Sequence, residues 1–117
     1  MPEIAEYTAG KRPKAIAMMH RFRDLVLALD DVDERVHKSE VAWARKRVFA
    51  SAFILADRLE VAIHLMRTIE HPNLREAFAT TQKVTTHRIY FTRPEEIDTI
   101  IAAWLLEAWE TAGPGTR

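Results

Sequence analysis

Apolar residues follow two different periods along this chain, and the changes between them divide it into three parts. Ile16, Met19, Phe22, Leu25, Val26 and Leu29 recur at helical spacing, which predicts a helix over 12–29 with Pro13 in its first turn. The cluster Asp30-Asp31-Val32-Asp33 ends that helix, because Asp side chains compete for backbone hydrogen bonds and favour turns. Ahead of it, residues 1–11 read as an irregular lead-in, with Ile4 and Tyr7 as anchors to the core.

Between 36 and 91 the period falls to two. Val41, Trp43 and Arg45 alternate with Ala42 and Ala44, and Arg45-Lys46-Arg47 turns the chain into a longer apolar run. That run, Val48 to Leu55, suits a central strand covered on both faces. After the tight connection Ala56-Asp57-Arg58, Leu59, Val61, Ile63 and Leu65 point one way and Glu60, Ala62, His64 and Met66 the other. Residues 68–83, interrupted by His71-Pro72-Asn73, read as a long loop with one helical turn around Leu74 to Phe78. Long excursions in small domains are often where binding happens. Val84 to Phe91 completes the sheet, with His87, Ile89 and Phe91 on one face and Thr86, Arg88 and Tyr90 on the other. Thr92-Arg93-Pro94-Glu95 reads as a capping box for a helix over 94–112. Its stripe is Ile97, Ile100, Ile101, Trp104, Leu105, Ala108 and Ala112, with Trp104 in the core, and Gly113-Pro114-Gly115 stops it. The pattern predicts a single α+β domain: a mostly antiparallel sheet of about four to five strands flanked by an N-terminal and a C-terminal helix. The sequence has no internal repeat and no low-complexity segment.

Composition narrows the function classes. Seventeen Lys and Arg balance 17 Asp and Glu, which argues against a general nucleic-acid binder. Cysteine is absent, so disulfides, thiol nucleophiles and thiolate metal sites are excluded, in keeping with a reducing compartment. No apolar run approaches the roughly 18 residues of a membrane helix, and the first ten residues lack a signal-peptide core. The expectation is a cytoplasmic protein that does not engage a membrane.

Several features in order resemble a bacterial family, domain of unknown function 5655. They are the leading helix with its acidic turn, Val36-His37-Lys38-Ser39, Val41-Ala42-Trp43 before the basic Arg45-Lys46-Arg47, and Phe49-Ala50. Thr86-His87-Arg88-Ile89 resembles the family's Thr-His-His-type strand, and Pro94-Glu95-Glu96-Ile97-Asp98 and Trp104 to Glu110 complete the likeness over about residues 5–112. Trp109 stands where the family usually has Tyr. The resemblance implies a lysine of the family's pattern at Lys38 and no established activity. The layout is also similar to small α+β proteins of the YdhG and MmcQ/YjbR types, for which ligand or nucleic-acid binding has been suspected.

The chemistry-bearing residues support alternatives. Lys38, Arg45, Lys46, Arg47, Arg67 and Arg88 could converge on one side of the sheet and hold a carboxylate or phosphate; otherwise the triple-basic segment is a solvated turn. His64, His71 and His87 could serve acid–base chemistry, but no spacing supports a metal site, and a structural His87 bonded to backbone competes with a functional one. Ser39 and Ser51 lie in no nucleophile elbow, and three glycines make no phosphate-cradling loop. The acidic turn 30–34 has no calcium-loop spacing. Lys11, Arg12 and Lys14 crowd a helix N-terminus, where an anion or plain solvation would relieve them. Trp43, Phe49 and Phe53 could line an aromatic pocket, and an exposed Trp109 would point to a protein contact.

The leading expectation is a non-enzymatic binding domain without metal or cofactor. It would use one sheet face and the 68–83 loop to hold a small anionic ligand or a protein, with Lys38, Arg45 and His87 foremost and His64, Arg67 and His71 in support. The alternatives are a small enzyme with a His/Lys pocket and a homodimeric interaction module that pairs through an edge strand or Trp109.

Overall fold

The computed structural model describes residues 3–114; Met1, Pro2 and Gly115, assigned above to the lead-in and the helix stop, lie outside them. The lead-in is not irregular: Ile4–Thr8 is a one-turn helix, α1. It is fastened by the Tyr7 hydroxyl, which accepts from the backbone N–H of Ile54 at 2.8 Å. Helix α2 is Pro13–Leu27, and Asp31, at φ 51°, makes the sharp exit that Asp tolerates better than most residues.

Six strands form one antiparallel sheet, against the four to five expected. They are β1 Asp33–Val36, β2 Val41–Ala44, β3 Val48–Leu55, β4 Arg58–Leu65, β5 Leu74–Ala79 and β6 Thr85–Phe91, in the order β1-β2-β3-β4-β6-β5. Two strands were missed. The acidic turn holds over 30–32 but ends in a strand: Glu34 accepts a bidentate pair from Arg23 and a bond from Trp43 Nε1, and these draw Asp33–Val36 alongside β2. The helical turn expected around Leu74 to Phe78 is a strand instead. The open edge of β6 supplies hydrogen-bond partners that a short isolated helix lacks in water, so pairing overrides local spacing.

A 3-10 turn at Pro94–Glu96 precedes α3, Thr99–Thr111, so the predicted single helix is broken at Ile97. The carboxylate that folds back is Glu96 rather than Glu95, accepting from Thr92 N–H, Thr92 Oγ1 and Arg93 N–H. Asp98 caps α3 itself through the N–H groups of Ile100 and Ile101. This start rotates Ile100 out to 54% exposure, and Trp104 packs half-buried at the edge of the core rather than inside it.

Both long helices lie against β3 and β4 on one side of the sheet. Met18, Met19, Phe22 and Val26 from α2 and Ile101, Leu105 and Ala108 from α3 meet Trp43, Ala52, Leu59, Val61, Ile63, Leu65, Ile89 and Phe91. The alternation read from β4 and β6 holds. The expectation that both faces of the 48–55 strand are covered does not: its Ser51 and Phe53 belong to a face that no helix covers, and a groove forms there.

Candidate functional site

The uncovered face is laid out by strand register. On β4, Glu60, Ala62 and His64 point to it, and each has neighbours on both sides or on one. Ala62 stands between Ser51 of β3 and Arg88 of β6; Glu60 stands between Phe53 and Tyr90; His64 faces Thr86. On the outer strand, Glu76 is opposite Arg88 and Phe78 opposite Thr86. A methyl group at the centre of a ring of longer side chains leaves a depression, and a groove of about 390 Å³ opens over Ala62. Ser51, Phe53, Glu60, His64, Phe78, Thr80, Thr86 and Arg88 line it, with Glu40 at its rim.

The polar groups around Ala62 are linked. Glu60, only 3% exposed, takes a bidentate pair from Arg75 (3.2 and 3.0 Å). Arg58 Nε lies 2.9 Å from the same carboxylate, an ion pair without hydrogen-bond alignment. Two guanidiniums on one carboxylate leave that cluster with one positive charge in excess. Arg88 donates Nη1 to Glu76 at 3.1 Å and lies 5.9 Å from the Phe53 ring centre. The Thr80 and Thr86 hydroxyls hydrogen-bond to each other, and Thr86 Oγ1 is 3.5 Å from His64 Nδ1.

The residues singled out by sequence do not gather at one point. His64 and Arg88 stand in the groove. His87 is on the opposite, helix-covered face, fully buried; its Nε2 accepts from Ile69 N–H at 3.1 Å and its Nδ1 donates to Ile63 C=O at 3.3 Å. Burial pushes its pKa below the usual value, and the positive charge of Arg67 adds to that, against the opposing bond to Ile63. His71 accepts from Asn73 N–H and meets Phe91 and Trp104 edge-on. Arg67 forms a bidentate ion pair with Glu107 at 2.9 and 3.0 Å. Arg45 lies 3.9 Å over the Trp109 ring and, with Arg47, donates to the carbonyls of Trp109 and Gly113 at the end of α3. Trp109 is therefore half-buried and tied to Asp30 C=O at 2.6 Å, not a free surface aromatic. Trp43 and Phe49 are buried, so no pocket forms between them and Phe53. Lys38 is exposed in the β1–β2 turn, beside a shallow hollow with Tyr7 and Lys11. Among the described residues no three His, Asp or Glu side chains gather as metal ligands would.

A larger cleft, about 680 Å³, separates α2 from the 3-10 turn and the start of α3. Two of its polar groups hold those elements together, Arg21 Nε donating to Ile97 C=O at 2.7 Å and Asp98 capping α3, and His20 and Asp24 line it as well. The Ala62 groove, with an imidazole, two linked hydroxyls and a guanidinium, offers more chemistry. Sequence reasoning missed Ser51, Ala62, Thr86 and Glu60 as a constellation. The only signal was the alternation within β4, and it could not say which strands lie beside it.

Comparison with known families matches residues 4–112 to the family described as domain of unknown function 5655, and the chain belongs to that family. No curated protein and no solved structure matches the chain.

Proposed function

We propose that the chain is a small binding domain that takes a compact anionic ligand with a planar apolar part in the groove over Ala62. The observation that supports it is the convergence of Arg88, His64, Ser51 and the Thr80–Thr86 pair on a depression of about 390 Å³, within the range of small-molecule sites. A guanidinium has five N–H donors, and the bond to Glu76 takes one. Phe53 and Phe78 give flat walls for the ligand's apolar part. In this reading Lys38, Arg45, Arg67, His71 and His87 hold the fold or its surface rather than the ligand. A small enzyme is the second reading, with His64 moving a proton through the Thr86 hydroxyl 3.5 Å away.

Amide chemical shifts in a titration with phenyl phosphate and with benzoate test the site. The expected perturbations cluster at Ser51, Ala62, His64, Thr86 and Arg88. Ala62→Phe, which fills the groove from a face no helix covers, abolishes them with the melting temperature held. Arg88→Ala weakens binding about tenfold or more, as loss of a charge-assisted bond predicts. Equal binding by Ala62→Phe, or perturbations centred on Lys38 or Arg45, would sink the assignment.

A further inference from the structure

The two edges of the sheet are finished differently. At one, β1 is four residues long and carries Asp33 and Arg35, paired at 2.9 Å. Short, charged edges resist pairing with another chain. At the other, β5 is guarded in its first half by Arg75, Glu76 and a bulge between Leu74 and Glu76. Its second half, Ala77-Phe78-Ala79, runs into Thr80-Thr81 with no charge or proline before Lys83. Phe78 is 45% exposed, the only exposed Phe, Tyr or Trp among the described residues.

We propose that this edge docks a second copy of the same chain, antiparallel, about a twofold axis at Phe78. An axis normal to the sheet keeps the two faces of each strand aligned, so only registers that oppose residues of the same face are open. An axis at Glu76 sets carboxylate against carboxylate, which destabilises. An axis at Ala77 sets Glu76 against the ring of Phe78. The axis at Phe78 pairs the two rings with each other, Ala77 with Ala79 and Glu76 with Thr80, so no charge meets a like charge or an aromatic face. Aromatic cross-strand pairs are favourable, and small residues on the helix side admit close approach. Phe78 also lines the Ala62 groove, so the pairing sets two grooves side by side; it does not depend on what they hold. One strand junction falls below the roughly 1,000 Å² of a lasting interface, so the dimer is weak and concentration-dependent.

The chain has no cysteine, which makes a register test free of background. Under mild oxidation at high protein concentration, Phe78→Cys forms a disulfide dimer at least tenfold faster than Glu76→Cys. Only residues opposed across the axis come within the Cα spacing of about 4.4–6.8 Å that a disulfide needs. Light scattering on the cysteine-free chain gives a mass that rises with concentration, and Phe78→Lys stays monomeric with an unchanged melting temperature. Equal crosslinking at both positions, or monomer mass at every concentration, overturns the proposal.

Discussion

A neutral imidazole can donate from one ring nitrogen and accept at the other, and His87 does both, to Ile63 C=O and from Ile69 N–H. Protonating it would place an N–H against the N–H of Ile69, in a site closed to water. Burial therefore holds its pKa below the usual 6.5, and the Arg67 charge acts in the same direction. A depressed histidine is protonated more readily in the unfolded chain, so its stabilisation is intact above pH 6.5 and is lost as pH falls toward the folded value. Glu34 and Glu96 act in a lower window. Burial alone would raise both, but bonds from Arg23 and Trp43 to Glu34, and from Thr92, Asn73 and Arg93 to Glu96, outweigh it and leave each depressed. Their contribution is present above the ordinary 4.5 and disappears below it. Urea midpoints between pH 7.5 and 5.0 should thus fall in the wild type, and fall less in His87→Gln. Parallel curves would mean that His87 is not the group responsible.

Among the elements, α3 shows most plainly what the basic turn contributes. Arg45 and Arg47 reach from the β2–β3 turn to its end: Arg45 joins the Ala112 N–H on the Trp109 carbonyl, Arg47 donates to the Gly113 carbonyl just past the helix, and Arg45 stacks on Trp109. Gly113 permits the approach, since a Cβ there would come within 2.8 Å of Arg45 Nη1. Arg45→Ala should cost about 1–2 kcal/mol in urea unfolding, from the lost terminal charge and the lost cation–π contact. Lys46→Ala, at an exposed neighbour, should stay within about 0.5 kcal/mol. Equal costs would return Arg45 to the solvated-turn reading. The elements that sequence made legible are those whose pattern is written in their own residues. Leu59, Val61, Ile63 and Leu65 alternate because β4 is buried on one side, and α2 carries an unbroken stripe. β1 and β5 were illegible because their pairing depends on residues elsewhere: Arg23 and Trp43 for the first, the edge of β6 for the second. For the same reason His64 could be singled out by type, whereas the row Ser51–Ala62–Arg88 required knowing that β6 rather than β5 lies beside β4.

At the scale of the whole molecule, helices cover one face of the sheet and leave the other open, so stability and binding should separate along a single strand. Ile63 and His64 are adjacent in β4 and point opposite ways. Ile63 is fully buried in the core beneath the helices, and truncating such a side chain leaves a cavity that close-packed neighbours fill only in part. Ile63→Ala should therefore cost about 2–5 kcal/mol, a large share of the roughly 5–15 kcal/mol that holds an average domain together. His64 borders an open groove, where solvent replaces what is removed, and His64→Ala should cost about 1 kcal/mol or less in urea. Binding should reverse the ranking. At a temperature where both variants remain folded, Ile63→Ala should keep its response to phenyl phosphate, because its side chain lies beneath the sheet, while His64→Ala loses part of it. If the two substitutions proved equally destabilising, the open face would have to be packed against something in solution rather than free to take a ligand. If Ile63→Ala alone lost the ligand response while still folded, the site would have to lie on the helix side, and the cleft between α2 and α3 would replace the Ala62 groove.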